Sequence, residues 1–245
     1  MEGIAKESLG RVREQARLQL AGRAAGKPLY ELLLDVEPTF GLDRLPVPKP
    51  GDLFLDLEGD PFVQGNGLEY LFGLLELGGI EDAVMPREKP GAPRYRAYWS
   101  KTRAEEKHRL RSRDRPHLRR PQRVRRPARV PLRSPRSRRA QNLSCRHHTR
   151  ETQVDQLLRE HVLVDLHGVV KRSVRASVEG YTLKQLEGLY DFKRSTELRA
   201  AARAMQLFGW LLETGEGEHA EAELRATIER YNLDDCSRPI TCELG

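Results

Sequence analysis

Leu53-Phe54-Leu55-Asp56-Leu57-Glu58-Gly59 is a compact apolar run bounded by Gly51 and Gly59, and it interrupts itself with two acids. Its length and its glycine punctuation predict a strand. A strand alternates faces with a period of two, so Asp56 and Glu58 project to one side while Leu55 and Leu57 point into a core. Two carboxylates on one strand face repel each other and need cations to offset them. A pair of divalent ions roughly 3.5–4 Å apart, as used for phosphoryl hydrolysis, would do so. The spacing alone equally fits the solvated face of an edge strand.

On the C-terminal side, Leu68–Leu77 is a second apolar run that ends at Gly78-Gly79, and Tyr95–Trp99 is a third after a Pro/Gly loop. Turn chemistry between runs of this length predicts a three-stranded meander. Thr102-Arg-Ala-Glu105 matches a capping box and starts a helix. On the N-terminal side, residues 1–25 read as a helix, with Leu9, Val12, Ala16 and Leu20 three or four apart. Lys27–Leu34 is a short helical or extended piece, and the Pro-rich stretch Leu45–Gly51 is a connector that cannot continue a helix. Residues 1–44 are therefore a helical connector, and 52–236 a domain.

The C-terminal zone, 150–235, has ordinary globular composition. Val154–Leu158 is amphipathic, Val162–Val164 is a short buried-strand candidate, and Tyr181–Tyr190 is helical. Ala200–Leu212 and Ala222–Tyr231 are the clearest helices, and Ser237–Gly245 does not continue the last of them. Trp99 and Trp210 read as core. Met205, Leu207, Phe208 and Leu211 form the apolar side of a helix. At its end, Tyr231-Asn-Leu-Asp234-Asp235 sets Tyr231 and Asp235 on one face, at i and i+4. The acid suits a metal and the phenol a water; an exposed acidic terminus with a packed tyrosine fits the same spacing.

The chain has 245 residues and a mass of 28.0 kDa, with 43 basic and 36 acidic side chains and a net charge of +7. Residues 109–139 hold 14 Arg, no Lys and one acid, Asp114; their net +13 leaves the rest of the chain at −6. The high pI of 9.5 is thus a local fact. No apolar run approaches a membrane span. The opening residues, with Glu2, Lys6 and Glu7, have no apolar h-region of a secretory signal. Cys145, Cys236 and Cys242 do not make a disulfide scaffold, and a reducing cytoplasm fits them. Gly215-Glu-Gly217 lacks the Lys and Ser of a phosphate-binding loop, so no nucleotide cofactor is indicated. Cys145-Arg-His147-His148 has no second ligand pair to complete a metal site, and His161 and His167 flank a strand.

Residues 108–146 have five prolines, dense arginine and no apolar periodicity, which predicts disorder with no packed element. Arg without Lys, with Pro, Ser and Ala, is also what a GC-rich coding stretch yields when translated off frame. Taken at face value, the arginines would neutralise phosphates and give a non-catalytic nucleic-acid-binding fragment, although no aromatic residue is present for base stacking.

The Asp56/Glu58 strand, the meander and the late Tyr-x3-Asp helix together resemble the DEDDy exonucleases of the RNase H-like fold. Val164-Asp165-Leu followed by Tyr181-Thr-Leu-Lys-Gln-Leu-Glu187-Gly-Leu-Tyr190 resembles the stretch between their second and third motifs. More closely, Gly51–Phe62, Leu68-Glu-Tyr-Leu-Phe-Gly73 and Tyr231–Cys236 resemble the YprB-type RNase H-like domain of bacterial RecB-like nucleases. Val12–Leu20 resembles the segment that joins that domain to an upstream nuclease domain. The resemblance covers about residues 8–107 and 147–236. It implies an α/β fold, a mixed sheet flanked by helices. It also implies a 3′–5′ exonuclease-like hydrolysis of DNA or RNA in the cytoplasm, with no membrane partner. Two Mg²⁺ or Mn²⁺ ions would bind Asp56, Glu58 and Asp235, and Tyr231 would position the attacking water. In the intact protein an upstream RecB-like nuclease domain or a helicase is implied. The family's second acidic motif belongs between Lys107 and Thr149, where only Asp114 stands, and Asp165 matches a different, supporting position. If residues 108–146 are read off frame, the chain is a frameshifted or truncated copy that lacks one catalytic acid, and it is then expected to be poorly folded and inactive.

Overall fold

The structure, a computed structural model, describes residues 6–33, 41–45, 52–76, 93–111, 130–132, 136–160, 162–190 and 192–243. It divides into two compact units: residues 1–46, 166–193 and 240–245 form one, and residues 47–165 and 194–239 the other. Leu166–Lys193, which the sequence reading keeps in the C-terminal domain, thus groups with the N-terminal stretch.

In the first unit, helix α1 (Lys6–Ala25) is followed by strand β1 (Tyr30–Leu32). β1 pairs antiparallel with a strand at Val174–Ala176, Tyr30 lying opposite Ala176. Flanking bonds lengthen this short ladder: the Leu33 N–H donates to Ser173 O, and the Ser177 N–H to Leu29 O. α1 buries Leu18 and Gly22, and Gln15 donates to Ala176 O at 2.8 Å. The expected Leu9–Val12–Ala16–Leu20 stripe is not the buried side. Val12 and Leu20 are 65% and 64% exposed, because the helix packs through the neighbouring Gln15–Leu18–Gly22 face instead.

The second unit is built on β2 (Leu53–Asp60), β3 (Leu68–Glu76) and β4 (Arg94–Trp99), an antiparallel meander in the order β2-β3-β4. Asp56 lies opposite Gly73, and Gly73 opposite Ala97. Helix α2 (Arg103–Arg111) follows, capped by Thr102, whose Oγ1 accepts the Glu105 N–H at 3.2 Å. The Glu105 carboxylate completes only part of the predicted box, accepting the Lys101 N–H rather than that of Thr102. Strand β5 (Val130–Leu132), helices α3 (Arg136–His147) and α4 (Glu151–Arg159) and strand β6 (Leu163–Asp165) come next. β6 pairs parallel with β5 across this helical crossover, and β5 lies beside β2. Then α5 (Leu166–Ser173), β7 (Val174–Ala176) and α6 (Leu183–Leu186) return to the first unit, before α7 (Leu198–Thr214) and α8 (Glu221–Glu243).

The meander is buried on both faces. On one, Leu57 and Phe72 pack with Leu110 of α2 and Leu143 of α3, and Leu53 with Leu74. On the other, Leu71 and Trp99 pack with Ala204 and Phe208 of α7 and Ile228 of α8. The register slips between Glu58 and Gly59, skipping Tyr70. This bulge turns the Tyr70 ring into the same cluster, stacked 6.0 Å from Trp99 and edge-on to Phe208 at 5.0 Å. Burying each of these side chains contributes about 1.5–3 kcal/mol.

Three expectations are corrected. Residues 108–146 do contain packed elements. β5 and α3 lie within them, and Leu143 is 2% exposed, because a few apolar side chains suffice once a sheet offers a face to cover. Asp114 and residues 112–129 lie outside the described residues. Trp210 is 47% exposed and Leu207 41%, since α7 turns Ala204, Phe208 and Leu211 inward. The last helix does not stop at Tyr231 but runs as α8 to Glu243.

Candidate metal centre

β2 supplies two carboxylates and α8 the third. The strand's alternation, with Leu55 and Leu57 taken by the α2–α3 side, turns Asp56 and Glu58 toward α8. One turn of α8 separates Tyr231 and Asn232 from Asp235 and Cys236, so all four share the side that also buries Ile228. The result is that Asp56, Glu58 and Asp235 converge. Each offers one carboxylate oxygen, and these oxygens all lie within 4.8 Å of one another. Asp56 is 0% and Asp235 5% exposed, which excludes the solvated-face reading of both motifs. β2 ends the three-stranded sheet, with β3 as its hydrogen-bonded neighbour, and β5 of the separate β5–β6 pair lies close to it.

The approach of α8 to the sheet depends on a glycine and an asparagine. Asn232 is 0% exposed. Its Nδ2 donates to Glu58 Oε1 at 3.2 Å, and its Oδ1 accepts from the Tyr95 hydroxyl at 2.9 Å. A Cβ on Gly73 would lie 1.6 Å from that Oδ1, so only glycine fits opposite Asp56. Tyr95 donates to Asn232 and Asn232 in turn to Glu58, a chain of two donors that fixes one carboxylate.

Tyr231 sits beside the acids. Burial is the main cause that raises its hydroxyl well above the ordinary phenol value, followed by the charges of Asp235, Glu58 and Asp56. The hydroxyl is therefore a proton donor at neutral pH and not a base. The Arg194 guanidinium lies over the Tyr231 ring, 4.9 Å from its centroid, and its Nη2 is 3.2 Å from Asp235 Oδ1. Asp234, next to the acid of the centre, faces elsewhere. Its carboxylate accepts from the Ser195 N–H and Oγ at 2.9 Å each and from the Thr196 N–H at 3.2 Å.

The structure brings together Asp56, Glu58 and Asp235, with Tyr231 alongside. Asp165, at the end of β6, is not in the group. Sequence reading missed Gly73, Asn232 and Arg194. Two of these carried a signal: a lone glycine inside an apolar strand marks close backbone approach, and an asparagine in mid-helix is a poor helix former. Of the Arg-rich segment, four described arginines serve the fold itself. Arg109 donates to Trp99 O, Arg111 to Thr149 Oγ1, Arg139 to Leu57 O and Arg146 to Gly67 O.

The donor set suits a hard divalent cation: three carboxylates, mostly desolvated, with oxygens close enough to share ions. A guanidinium already stands at one of them. No family model, curated protein or solved structure matches this chain.

Proposed function

We propose that this chain is a metal-dependent nuclease, 3′–5′ exonuclease-like, that hydrolyses phosphodiester bonds in DNA or RNA on an RNase H-like domain. The observation that carries the reading is the convergence of Asp56, Glu58 and Asp235, from a strand and a distant helix, to within 4.8 Å. Such a gathering of buried like charges is costly for a structural purpose and suited to a pair of cations. The strand order adds support. An antiparallel meander with a parallel β5–β6 pair lying near its first strand is compatible with the mixed sheet the resemblance implies.

Asp56, Glu58 and Asp235 would hold Mg²⁺ or Mn²⁺. When bound, these ions make water a nucleophile at neutral pH and neutralise charge on the leaving oxygen. Glu58, fixed by Asn232, presents its second oxygen in a constant direction. Tyr231, kept protonated, donates a hydrogen bond and orients the attacking water. α2 and α3 cover one face of β2, and the other turns the acids toward α8. Among the described residues the acidic group has three members, where the resemblance implies a fourth. We infer a slow enzyme, with cation affinity below that of a four-carboxylate site.

The test is degradation of end-labelled DNA and RNA with Mg²⁺, Mn²⁺ or EDTA, by the parent chain and Asp56→Asn. Divalent-dependent cleavage that the substitution abolishes supports the reading; cleavage that survives it overturns the site. Translating the coding DNA of codons 100–150 in all three frames tests the origin of the missing acid. Another frame is expected to supply an apolar strand with a carboxylate, and an intact frame would retire the frameshift.

A further inference from the structure

We propose that Arg194 is the built-in counter-ion of the acidic centre: it occupies Asp235 in the absence of a divalent cation and must yield that contact when one binds. The inference rests on the reading of Asp56, Glu58 and Asp235 as metal ligands. Three carboxylates within 4.8 Å need positive charge nearby for the fold to tolerate them. Arg194 Nη2 lies 3.2 Å from Asp235 Oδ1, the two side chains being 10% and 4% exposed, so solvent and salt screen the pair little. The same guanidinium rests 4.9 Å from the centroid of the Tyr231 ring. One cation therefore braces both α8 residues of the centre.

Its position is built rather than incidental. The two residues after Arg194 are clamped by Asp234, which takes the Ser195 N–H, the Ser195 hydroxyl and the Thr196 N–H. Residues 194–196 are thus tied to the same helical turn that carries Asp235, and the arginine enters the site from a fixed shoulder. Arginine does not lose its charge at any working pH, so the compensation is permanent. A divalent cation approaching Asp235 meets both the repulsion of the guanidinium and an oxygen already engaged. Arg194 is accordingly a positioning residue that sets the affinity threshold of the centre.

The experiment uses the full chain freed of metal and titrated with Mn²⁺, followed by calorimetry and by the melting temperature. Arg194→Met is expected to lower the Mn²⁺ midpoint about tenfold, the size expected for removing a unit charge in contact with the site. Its melting temperature in EDTA should fall below that of the parent, with the gap closing as Mn²⁺ is added. Arg194→Lys, which keeps the charge, should stay within about twofold of the parent. If Arg194→Met does not fold, Arg194→Gln, which keeps donors but not charge, must show the same shift. An unchanged or raised midpoint in the neutral variants overturns the inference while leaving the metal centre standing. Absence of Mn²⁺ binding in the parent itself overturns both together.

Discussion

Glu106 and Asp56 are both acids with 0% exposure in the same unit, yet their surroundings differ in kind. Glu106, on α2, is met by complementary groups. Its Oε1 accepts the Glu69 N–H at 2.7 Å, its Oε2 meets His147 Nε2 at 2.5 Å, and Arg146 stands 3.8 Å away. Asp56, on β2, shares its burial with two further carboxylates. The first arrangement ties α2 and α3 to the start of β3, and the whole of its chemistry is spent inside the fold. The second keeps an excess of negative charge that favours a cation from outside. Burial alone therefore does not mark a functional acid; the sign of what surrounds it does.

The largest effect expected from this contrast is on stability. Glu106→Ala leaves His147 and the Glu69 N–H without their buried partner and should cost about 3–5 kcal/mol, read from urea denaturation. A loss close to zero would mean that α3 does not depend on α2. Next comes Asp56→Asn, which removes a ligand and relieves repulsion. Divalent-dependent cleavage should fall by about 100-fold or more. Its melting temperature in EDTA should match or exceed that of the parent. A large loss of stability instead would make Asp56 structural like Glu106.

Gly73→Ala addresses the approach of α8. The added Cβ collides with Asn232 Oδ1, so a cost of about 1–3 kcal/mol is expected together with weaker Mn²⁺ binding, since Glu58 loses its fixed donor. Unaltered Mn²⁺ binding would show that Asn232 does not position Glu58.

The smallest effect concerns pH. The folded Tyr231 hydroxyl titrates above its unfolded value of about 10, so its contribution to stability is complete below that pH and is lost as pH rises beyond it. Tyr231→Phe should therefore flatten part of the alkaline fall in melting temperature. Burial raises Tyr70 and Tyr95 in the same direction, so a residual slope remains in the variant. An identical slope in parent and variant would place Tyr231 in solvent.

Much of the centre was readable because its two motifs are local. Asp56 and Glu58 share a strand face by period, and Tyr231 and Asp235 share a helix face by spacing. Neither pattern says that the two faces meet. That depends on Gly73 admitting Asn232. The Arg-rich segment was misread for the opposite reason. Its composition opposes local structure, whereas α3 is held by partners remote in sequence: Leu143 in the core beneath β2, and His147 against Glu106.

Periodicity, turn residues and a capping threonine sufficed to foretell the meander, the helix after it and the two late helices, because those signals act between near neighbours along the chain. The antiparallel β1–β7 pair, the clamp of Asp234 on Ser195 and Thr196, and the guanidinium over Tyr231 came only with packing. Each of these joins residues far apart in sequence. Their energy is gained only when burial has already excluded water, a condition set by the assembled fold and written in no single stretch of the chain.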